Sequence, residues 1–316
     1  MDRDVVLVTG IAGGLARLAA RDLLTRGHDV VGVDYRRIPS DVEVPKQLRV
    51  FCANYNKTKI EDVFRQARPS LVLHLGRVGN LKERSGKRFD LNVIGSQKIT
   101  ALCLKYGVRR MVVLSTFHIY GADPLNHTPI YEDEPLRAGS DFPQIADAIQ
   151  LDSQAVTAMF QYPQLQTVVL RPTNVVGPNI CNAMSSLLRE PRLPVLLGFD
   201  PMVQFVYESD LVEAIRAVAF SSPTGVFNVA GADGMPWSTA VRLAGAKSLP
   251  IPSSLASTLL RLAGMFSSAQ PAYLVNFIKH PCVISDEPLR RTFGWSAQVP
   301  DAEAIRSTVA EVRGWV

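Results

Sequence analysis

The sequence is poor in cysteine, and its cysteines are not spaced for metal binding. The 316 residues include only Cys52, Cys103, Cys181 and Cys282, which form no CxxC or Cys/His spacing. We therefore expect reduced, mostly buried thiols and no metal site. No apolar run approaches the roughly 20 residues that span a bilayer, and the charged N-terminus enters a strand without a signal peptide. We expect a cytoplasmic protein with no integral membrane segment.

Charge of one sign does not dominate the chain. Lysine and arginine number 34 against 29 aspartates and glutamates, and the basic residues cluster only in Arg77–Arg88. No aromatic residue lies among these charges before Phe89, whereas surfaces for single-stranded nucleic acid combine the two. The stretch is either a solvated loop after a strand or a positive region facing a small anion. We expect no nucleic-acid partner.

Short β-rich segments alternate with helical ones over the first half of the chain, which is typical of βαβ units. The predicted strands are Val5–Thr9, Val30–Asp34, Arg49–Cys52, Leu71–Leu75, Met111–Ser115 and Thr167–Leu170. The predicted helices are Leu15–Arg26, Ile60–Gln66, Phe89–Tyr106 and Gln144–Phe160. We therefore predict an α/β fold with a Rossmann-type doubly wound parallel sheet in a first domain, residues 1–176.

The pattern loosens after Gly177-Pro178. Further helices are predicted at Ala183–Arg189, Asp210–Phe220 and Ser254–Met265, and further strands at Val195–Leu197, Gln204–Tyr207 and Val226–Val229. These segments predict a smaller C-terminal substrate lobe, residues 177–316, with a return to the first domain near 204–230. The apolar stretches Ser254–Phe266 and Ala272–Ile278 roof an apolar substrate, lie on a membrane surface or pack within this lobe.

The first turn of the chain is rich in glycine and joins a strand to a helix. In such a turn Gly10 permits the tight bend and Gly13 lets backbone approach a pyrophosphate, while the N-terminus of the next helix binds the phosphates. Asp34 ends the second strand, where a carboxylate can bind an adenosine ribose. The pattern predicts a dinucleotide site, and the alternative is a structural turn with nothing bound.

Several short motifs follow this turn in one order. They are Thr9-Gly10-Ile11-Ala12-Gly13-Gly14-Leu15-Ala16, His74-Leu75-Gly76, Asn92-Val93-Ile94-Gly95, Leu114–Gly121, Glu132–Pro135, Arg171–Pro178, Phe205–Leu211 and Gly225–Ala230. Together they resemble the TGxxGxxG, HLA, NVxGT, SSxxVYG, EDxP and RPxNVYGP motifs and the substrate-lobe signatures of one family. The chain resembles extended short-chain dehydrogenases/reductases of the NAD-dependent epimerase/dehydratase type, with features of the 3β-hydroxysteroid dehydrogenase branch.

The resemblance implies a set of cofactor contacts. They are Gly10, Ile11, Ala12, Gly13, Gly14, Leu15, Asp34, Tyr35, Arg36, Asn54, Tyr55, Leu75, Gly76, Arg77, Asn92, Ser115, Thr116, Pro172, Asn174 and Val175. Asp34 favours NAD because its carboxylate repels a 2′-phosphate, but Arg36 and Arg37 leave NADP open. Asn54 replaces an aspartate that lies next to adenine in the family, or it caps the helix that follows.

The family's catalytic tyrosine and lysine are missing. The family uses a Ser/Thr, here Thr116, and a Tyr-x-x-x-Lys pair in which the lysine lowers the pKa of the tyrosine. If Asp152 takes the acidic position four residues after the lysine, Gln144 replaces the tyrosine and Ala148 the lysine; if Phe142 replaces the tyrosine, Ala146 replaces the lysine. No lysine occurs between residues 106 and 246, so no register restores the pair.

Other groups near this region are candidate acids or bases. Asp141 and Asp147 at a helix start are acid/base candidates or helix-cap and surface charges. His118 and Tyr120 follow Thr116, and His127 lies in a loop. For these three residues the alternative to a catalytic role is a packing or surface role.

We predict an NAD(P)-binding sensor, scaffold or non-redox catalyst.

The alternative is an active NAD(P)-dependent oxidoreductase or epimerase. It would act on a sterol-like or nucleotide-sugar alcohol with Thr116 and an unorthodox acid/base. In either case a small-molecule ligand is a further candidate partner. The family resemblance further implies a homodimer formed through the helices Phe89–Tyr106 and Gln144–Phe160.

Overall fold

The computed structural model describes residues 4–79, 83–252 and 274–314. Its strands are β1 (Val5–Thr9), β2 (Asp29–Asp34), β3 (Arg49–Cys52), β4 (Leu71–His74), β5 (Arg110–Leu114), β6 (Gln166–Pro172), β7 (Asn174–Val176), β8 (Arg192–Leu197), β9 (Met202–Val203), β10 (Phe205–Tyr207), β11 (Gly225–Val229), β12 (Met235–Pro236) and β13 (Lys247–Pro252).

The helices cover both faces of the main sheet. They are α1 (Gly14–Thr25), α2 (Lys59–Ala67), α3 (Ser85–Phe89), α4 (Gly95–Lys105), α5 (Ala138–Asp141), α6 (Ala146–Gln161), α7 (Ala183–Leu188), α8 (Glu208–Ala219), α9 (Trp237–Leu243), α10 (Leu274–Phe277), α11 (Glu287–Phe293) and α12 (Asp301–Arg313). A π-helical turn, Asp90–Ile94, joins α3 to α4, and 3₁₀ turns lie at Phe117–Tyr120 and Pro143–Ile145.

The main sheet has seven parallel strands in the order β11-β6-β5-β4-β1-β2-β3. The strand order reverses between β1 and β4, and ligands of open α/β sheets bind outside the carboxyl ends of the strands at such a point. This architecture confirms the predicted Rossmann-type fold. It places the glycine turn after β1 beside the ends of β2 and β4.

The sheet is apolar on both faces because helices cover both. Val6 and Val8 of β1 point into a core with α1 and α8, and Leu7 points into a second core with α2, α4 and α6. All three valine and leucine side chains are fully buried, which contributes about 1.5–3 kcal/mol each to stability. A rigid two-sided core therefore holds the carboxyl ends of the strands in place.

Three small two-stranded sheets lie outside the main sheet. β7 pairs with β10, β8 with β13 and β9 with β12, and a third core forms around the buried Trp237. β11 pairs with β6 and belongs to the main sheet. The boundary of the substrate lobe at residue 177 stays a prediction. No helix in the three described ranges is both long and apolar enough to cross a membrane.

Most predicted element ends differ from the observed ones by at most two residues. The helix predicted at Phe89–Tyr106 begins at Ser85 instead, and the strand predicted at Val195–Leu197 begins at Arg192. Cys52 and Cys181 are exposed, so the expectation of mostly buried thiols is wrong for these two. The helix predicted at Ser254–Met265 lies outside the described residues.

Candidate functional site

The glycine turn between β1 and α1 packs tightly against the end of β4. Gly10 has a φ of +80°, and a Cβ atom there would lie 2.6 Å from the Cα of Gly76. The Gly10 N–H donates to the hydroxyl of Tyr55 at 2.9 Å, and burial raises the pKa of this phenol. Tyr55 is fully buried, so it packs against the glycine turn and stabilises its conformation.

The start of α1 is also closely approached by another segment. A Cβ atom at Gly14 would lie 1.9 Å from the carbonyl oxygen of Asn179. The carboxylate of Glu208 holds Asn179 because it accepts from the Asn179 backbone N–H at 3.0 Å and the side-chain amide at 2.6 Å. The segment after β7 is thereby fixed against the helix end that was predicted to bind phosphate.

Asp34 at the end of β2 is buried and hydrogen-bonded within the chain. Its carboxylate accepts from the Ala12 N–H at 3.1 Å and from the Arg36 N–H at 2.9 Å. The Arg36 guanidinium lies 3.4 Å from both carboxylate oxygens. Asp34 therefore positions the glycine turn and also neutralises the arginine that would otherwise favour a 2′-phosphate.

A buried hydrogen-bond chain joins this turn to the beginning of α4. Ser96 Oγ donates to the Asn92 carbonyl at 2.6 Å, so it accepts from His74 Nε2 at 2.8 Å. His74 Nδ1 then accepts from Thr9 Oγ1 at 2.8 Å, which itself accepts from the Gly76 N–H at 3.0 Å. The chain requires a neutral imidazole, and burial lowers the pKa of His74 to about 4.

We expect His74 to make the protein less stable in acid. Its pKa is about 4 when folded and near 6.5 when unfolded, so the unfolded chain binds more protons between these values. The free energy of unfolding should fall by about 1.4 kcal/mol per pH unit as the pH drops through this window. Urea unfolding from pH 7 to 4 measures the slope, which His74→Gln should reduce by this amount.

His127→Gln is the matched control for this pH dependence. The side chain of His127 is exposed and pairs with Glu134 at 2.6 Å, so its removal should leave the steep part of the slope in place. Asp301 acts in the opposite direction because burial raises its pKa to about 7, and the comparison between variants cancels it. Equal slopes for the wild type and His74→Gln would contradict the assignment.

Thr116 lies at the end of β5, and its hydroxyl is bonded within the chain. Thr116 Oγ1 lies 2.9 Å from His118 Nδ1, and burial lowers the pKa of His118 to about 3. Tyr120 is buried between Arg171 and Asn228, with both hydrogen bonds at 2.8 Å. Burial raises the pKa of this tyrosine to about 12. With these pKa values, neither His118 nor Tyr120 exchanges a proton near neutral pH.

Gln144 and Ala148, the residues predicted to replace the catalytic pair, lie in different surroundings. Gln144 is exposed in the 3₁₀ turn before α6, whereas Ala148 is 2% exposed. Ala148 belongs to an apolar cluster that includes Phe117, Phe142 and Phe277. The ring of Phe277 lies 4.7 Å from that of His118 and 5.6 Å from that of Phe117. An apolar cluster therefore surrounds Ala148, the residue predicted to replace the family's lysine.

Asp147 is held by an ion pair. Its carboxylate accepts from Arg88 Nη2 at 3.0 Å and from the Asn92 side-chain amide at 2.6 Å. All three side chains are buried. Arg88 thus corrects the interpretation of Arg77–Arg88 as a wholly solvated loop, since its charge is paired with an aspartate 59 residues later. The pairing also opposes the acid/base role considered for Asp147.

The remaining predicted residues lie around the carboxyl ends of the strands. Asn54 accepts from the Asn56 N–H at 3.2 Å, as a turn cap does, while Asn174 donates to the Gln204 carbonyl at 3.0 Å. Sequence reasoning missed Arg88, Phe277 and the Glu208–Asn179 pair, which no local signal marks. Among the described residues, no group of three or more His, Cys, Asp or Glu side chains could hold a metal ion.

The chain is similar to known proteins over most of its length. An uncharacterised protein of Mycobacterium tuberculosis is 30% identical over 260 residues, which cover 78% of this chain and 68% of that protein. The Thermus thermophilus UDP-glucose 4-epimerase, solved in complex with NAD, is 26% identical with a TM-score of 0.78, covering 99% of this chain and 100% of that one. Pal from Bacillus thuringiensis shares the fold at a TM-score of 0.79 and 18% identity, with 99% and 100% covered.

The match to a family profile includes both the glycine turn and the region around Thr116 and Ala148. The profile of the NAD dependent epimerase/dehydratase family covers residues 6–230, from β1 through the glycine turn, Thr116 and Ala148 to the end of β11. This span is well over half of the sequence. With the parallel sheet and the tightly packed glycine turn, it shows that the chain belongs to the NAD dependent epimerase/dehydratase family.

Proposed function

We propose that this protein binds NAD at the carboxyl edge of its main sheet. The family profile and solved relatives that hold NAD support the proposal. The residues that would hold the dinucleotide are the glycine turn for the pyrophosphate, Asp34 for the adenosine ribose, and Thr116 and Asn174 near the nicotinamide. Bound NAD supplies a hydride acceptor; the chain's own residues bind and orient it.

Unpaired polar atoms at this edge fit such a ligand. Within the described ranges, Ser115 Oγ and Asn174 Oδ1 are buried and have no hydrogen-bond partner. Buried polar atoms are normally satisfied, and both atoms follow strands whose carboxyl ends face the predicted site. A dinucleotide that donates to them would remove this cost.

We further propose that the protein does not catalyse the family's ordinary hydride transfer. The observation that carries this proposal is Ala148, which is buried in an apolar cluster at the position of the lysine. General acid–base catalysis contributes about 10²–10⁴-fold, and no side chain described beside Thr116 supplies it at neutral pH. The function we propose is a cofactor-dependent sensor or scaffold, or a catalyst of a non-redox step.

An active epimerase is the second candidate. It is favoured by a UDP-glucose 4-epimerase of Corynebacterium glutamicum that is 29% identical over 175 residues, about half of each chain. Titration with NAD and NADP by calorimetry tests the nucleotide site. Turnover of nucleotide sugars and apolar alcohols then separates the candidates, because measurable turnover would contradict the loss of catalysis.

Asp34→Asn should shift the cofactor preference. The substitution removes the negative charge that opposes a 2′-phosphate and releases the Arg36 guanidinium to bind it. We expect the affinity for NADP to rise about 10-fold while that for NAD falls, since a charged hydrogen bond is worth about 1.5–3 kcal/mol. Calorimetry measures both affinities, with the exposed Glu43→Ala as control; an unchanged preference would contradict the role of Asp34.

We also propose the homodimer and the division into lobes that the family resemblance implies. α4 and α6, the helices implied in dimerisation, share one core on the same face of the sheet. Phe160 near the end of α6 is 76% exposed, which supports a contact there. The substrate lobe would begin after β7, at residue 177.

A further inference from the structure

The network around Arg88 and Asp147 connects two parts of the site. Asn92 lies in the π-helical turn and clamps the backbone of Val78, because its Oδ1 accepts from the Val78 N–H at 2.7 Å and its Nδ2 donates to the Val78 carbonyl at 3.0 Å. Val78 is two residues beyond Gly76, which packs against Gly10 of the glycine turn. Asn92 is thereby fixed to the proposed nucleotide site.

The other end of the network is the beginning of α6. The Asn92 amide donates to Asp147, and Arg88 Nη2 donates to both the Asp147 carboxylate and the Gln144 carbonyl. Gln144 and Asp147 belong to the segment in which other family members are expected to carry the catalytic tyrosine and lysine. Charged hydrogen bonds, which are stronger than neutral ones, therefore hold this segment to Arg88 and Asn92. Asn92 in turn connects it to Val78 through neutral hydrogen bonds.

Stability alone does not account for this ion pair. Arg88 and Asp147 side chains are 6% and 8% exposed, and Arg88 Nε has no hydrogen-bond partner among the residues in the described ranges. An incompletely satisfied buried pair is often less stabilising than an apolar pair of similar volume. A π-helical turn at the same place is a further mark of a functional site.

We propose that Arg88 and Asp147 are positioning residues that couple nucleotide occupancy to the conformation of residues 143–150. This inference depends on the proposed NAD site. NAD bound against the glycine turn favours one position of Gly76 and Val78, and Asn92 transmits that preference to Asp147 and α6. Because coupling between sites is reciprocal, the arrangement of α6 also sets the affinity for NAD. The conformation at the start of α6 therefore depends on whether the cofactor is bound.

A paired substitution tests the coupling without leaving an unpaired charge. Asp147→Leu alone would strand the buried Arg88, so the variant is Arg88→Met/Asp147→Leu. We expect it to bind NAD about 10-fold more weakly by calorimetry. In the wild type, NAD should slow amide hydrogen exchange both in residues 10–16 and in residues 143–150. In the variant the protection of 143–150 should be lost, while that of 10–16 persists at saturating NAD.

The matched control is Arg65→Met/Asp62→Leu, which removes an exposed ion pair on α2 and should change neither readout. Unchanged NAD affinity and unchanged protection of 143–150 in the buried-pair variant would overturn the coupling and leave the NAD site standing. A purely structural role would lower the melting temperature but keep both protected regions, which also overturns it. If the wild type binds no NAD, the proposed function and the coupling both fail.

Discussion

Asp152→Ala is expected to lower the free energy of unfolding by about 3–5 kcal/mol. The Arg171 guanidinium donates to the two Asp152 carboxylate oxygens at 2.7 and 3.0 Å. Asp152 is fully buried, and the Arg171 side chain is 5% exposed. Burial alone would lower the pKa of Arg171, but the hydrogen bonds and the charge of Asp152 raise it above its usual value. Removing the carboxylate leaves a buried cation uncompensated.

Urea unfolding of three variants separates charge from packing. Asp152→Leu/Arg171→Met removes both charges and should recover most of the stability lost in Asp152→Ala, because apolar replacements of a buried pair are often neutral. Removal of the exposed Arg65–Asp62 pair should cost less than about 1 kcal/mol. A loss below about 1 kcal/mol for Asp152→Ala would contradict the importance of this pair.

The pair also bears on the position of the missing catalytic residues. Asp152 lies four residues after Ala148, so the two lie on the same side of α6. Arg171 from β6 additionally contacts Tyr120 and the Glu132 carbonyl, which joins three of the family motifs in one buried network. The prediction that Gln144 and Ala148 replace the tyrosine and lysine depends on this place of Asp152 in the sequence.

The glycine turn and Asp34 were predictable because their signals are local. A strand, a glycine pattern and an acidic residue at the next strand end determine the conformation within about 30 residues. Hydrophobic periodicity similarly located most strands and helices of the first half. β13 was missed because Pro250 and Pro252 lack backbone N–H donors and lower the strand signal, although β13 pairs in parallel with β8.

The contacts that decide the chemistry of the site come from distant parts of the chain. Arg88 is buried only because Asp147 and Gln144 fold against it, 59 and 56 residues further along. Phe277 contacts Phe117 across 160 positions of sequence. Neither residue differs locally from a surface arginine or a core phenylalanine. A sequence pattern therefore predicts the loss of the catalytic pair but not the apolar cluster around Ala148.

Restoring the family's pair in Gln144→Tyr/Ala148→Lys should destabilise the protein and give no hydride transfer. Gln144 is exposed, so a tyrosine fits at this position, but Ala148 is buried among apolar side chains. A lysine there has no free carboxylate in the described surroundings, since Arg171 holds Asp152 and Arg88 holds Asp147. An unpaired buried charge costs about 3–5 kcal/mol, and urea unfolding together with NAD reduction by candidate alcohols measures both effects.

Gln144→Tyr/Ala148→Met separates the charge of the lysine from the volume of the new side chain. Overpacking by itself costs about 1–3 kcal/mol, so the lysine variant should be less stable than the methionine variant at pH 7. Burial lowers the pKa of a lysine, and the unfolded state then binds more protons below pH 10. The difference between the two variants should therefore shrink as the pH rises from 7 to 9.5. A stable lysine variant that oxidises an alcohol would instead show that the apolar cluster can open, and that the loss of activity arises only from the two substituted residues.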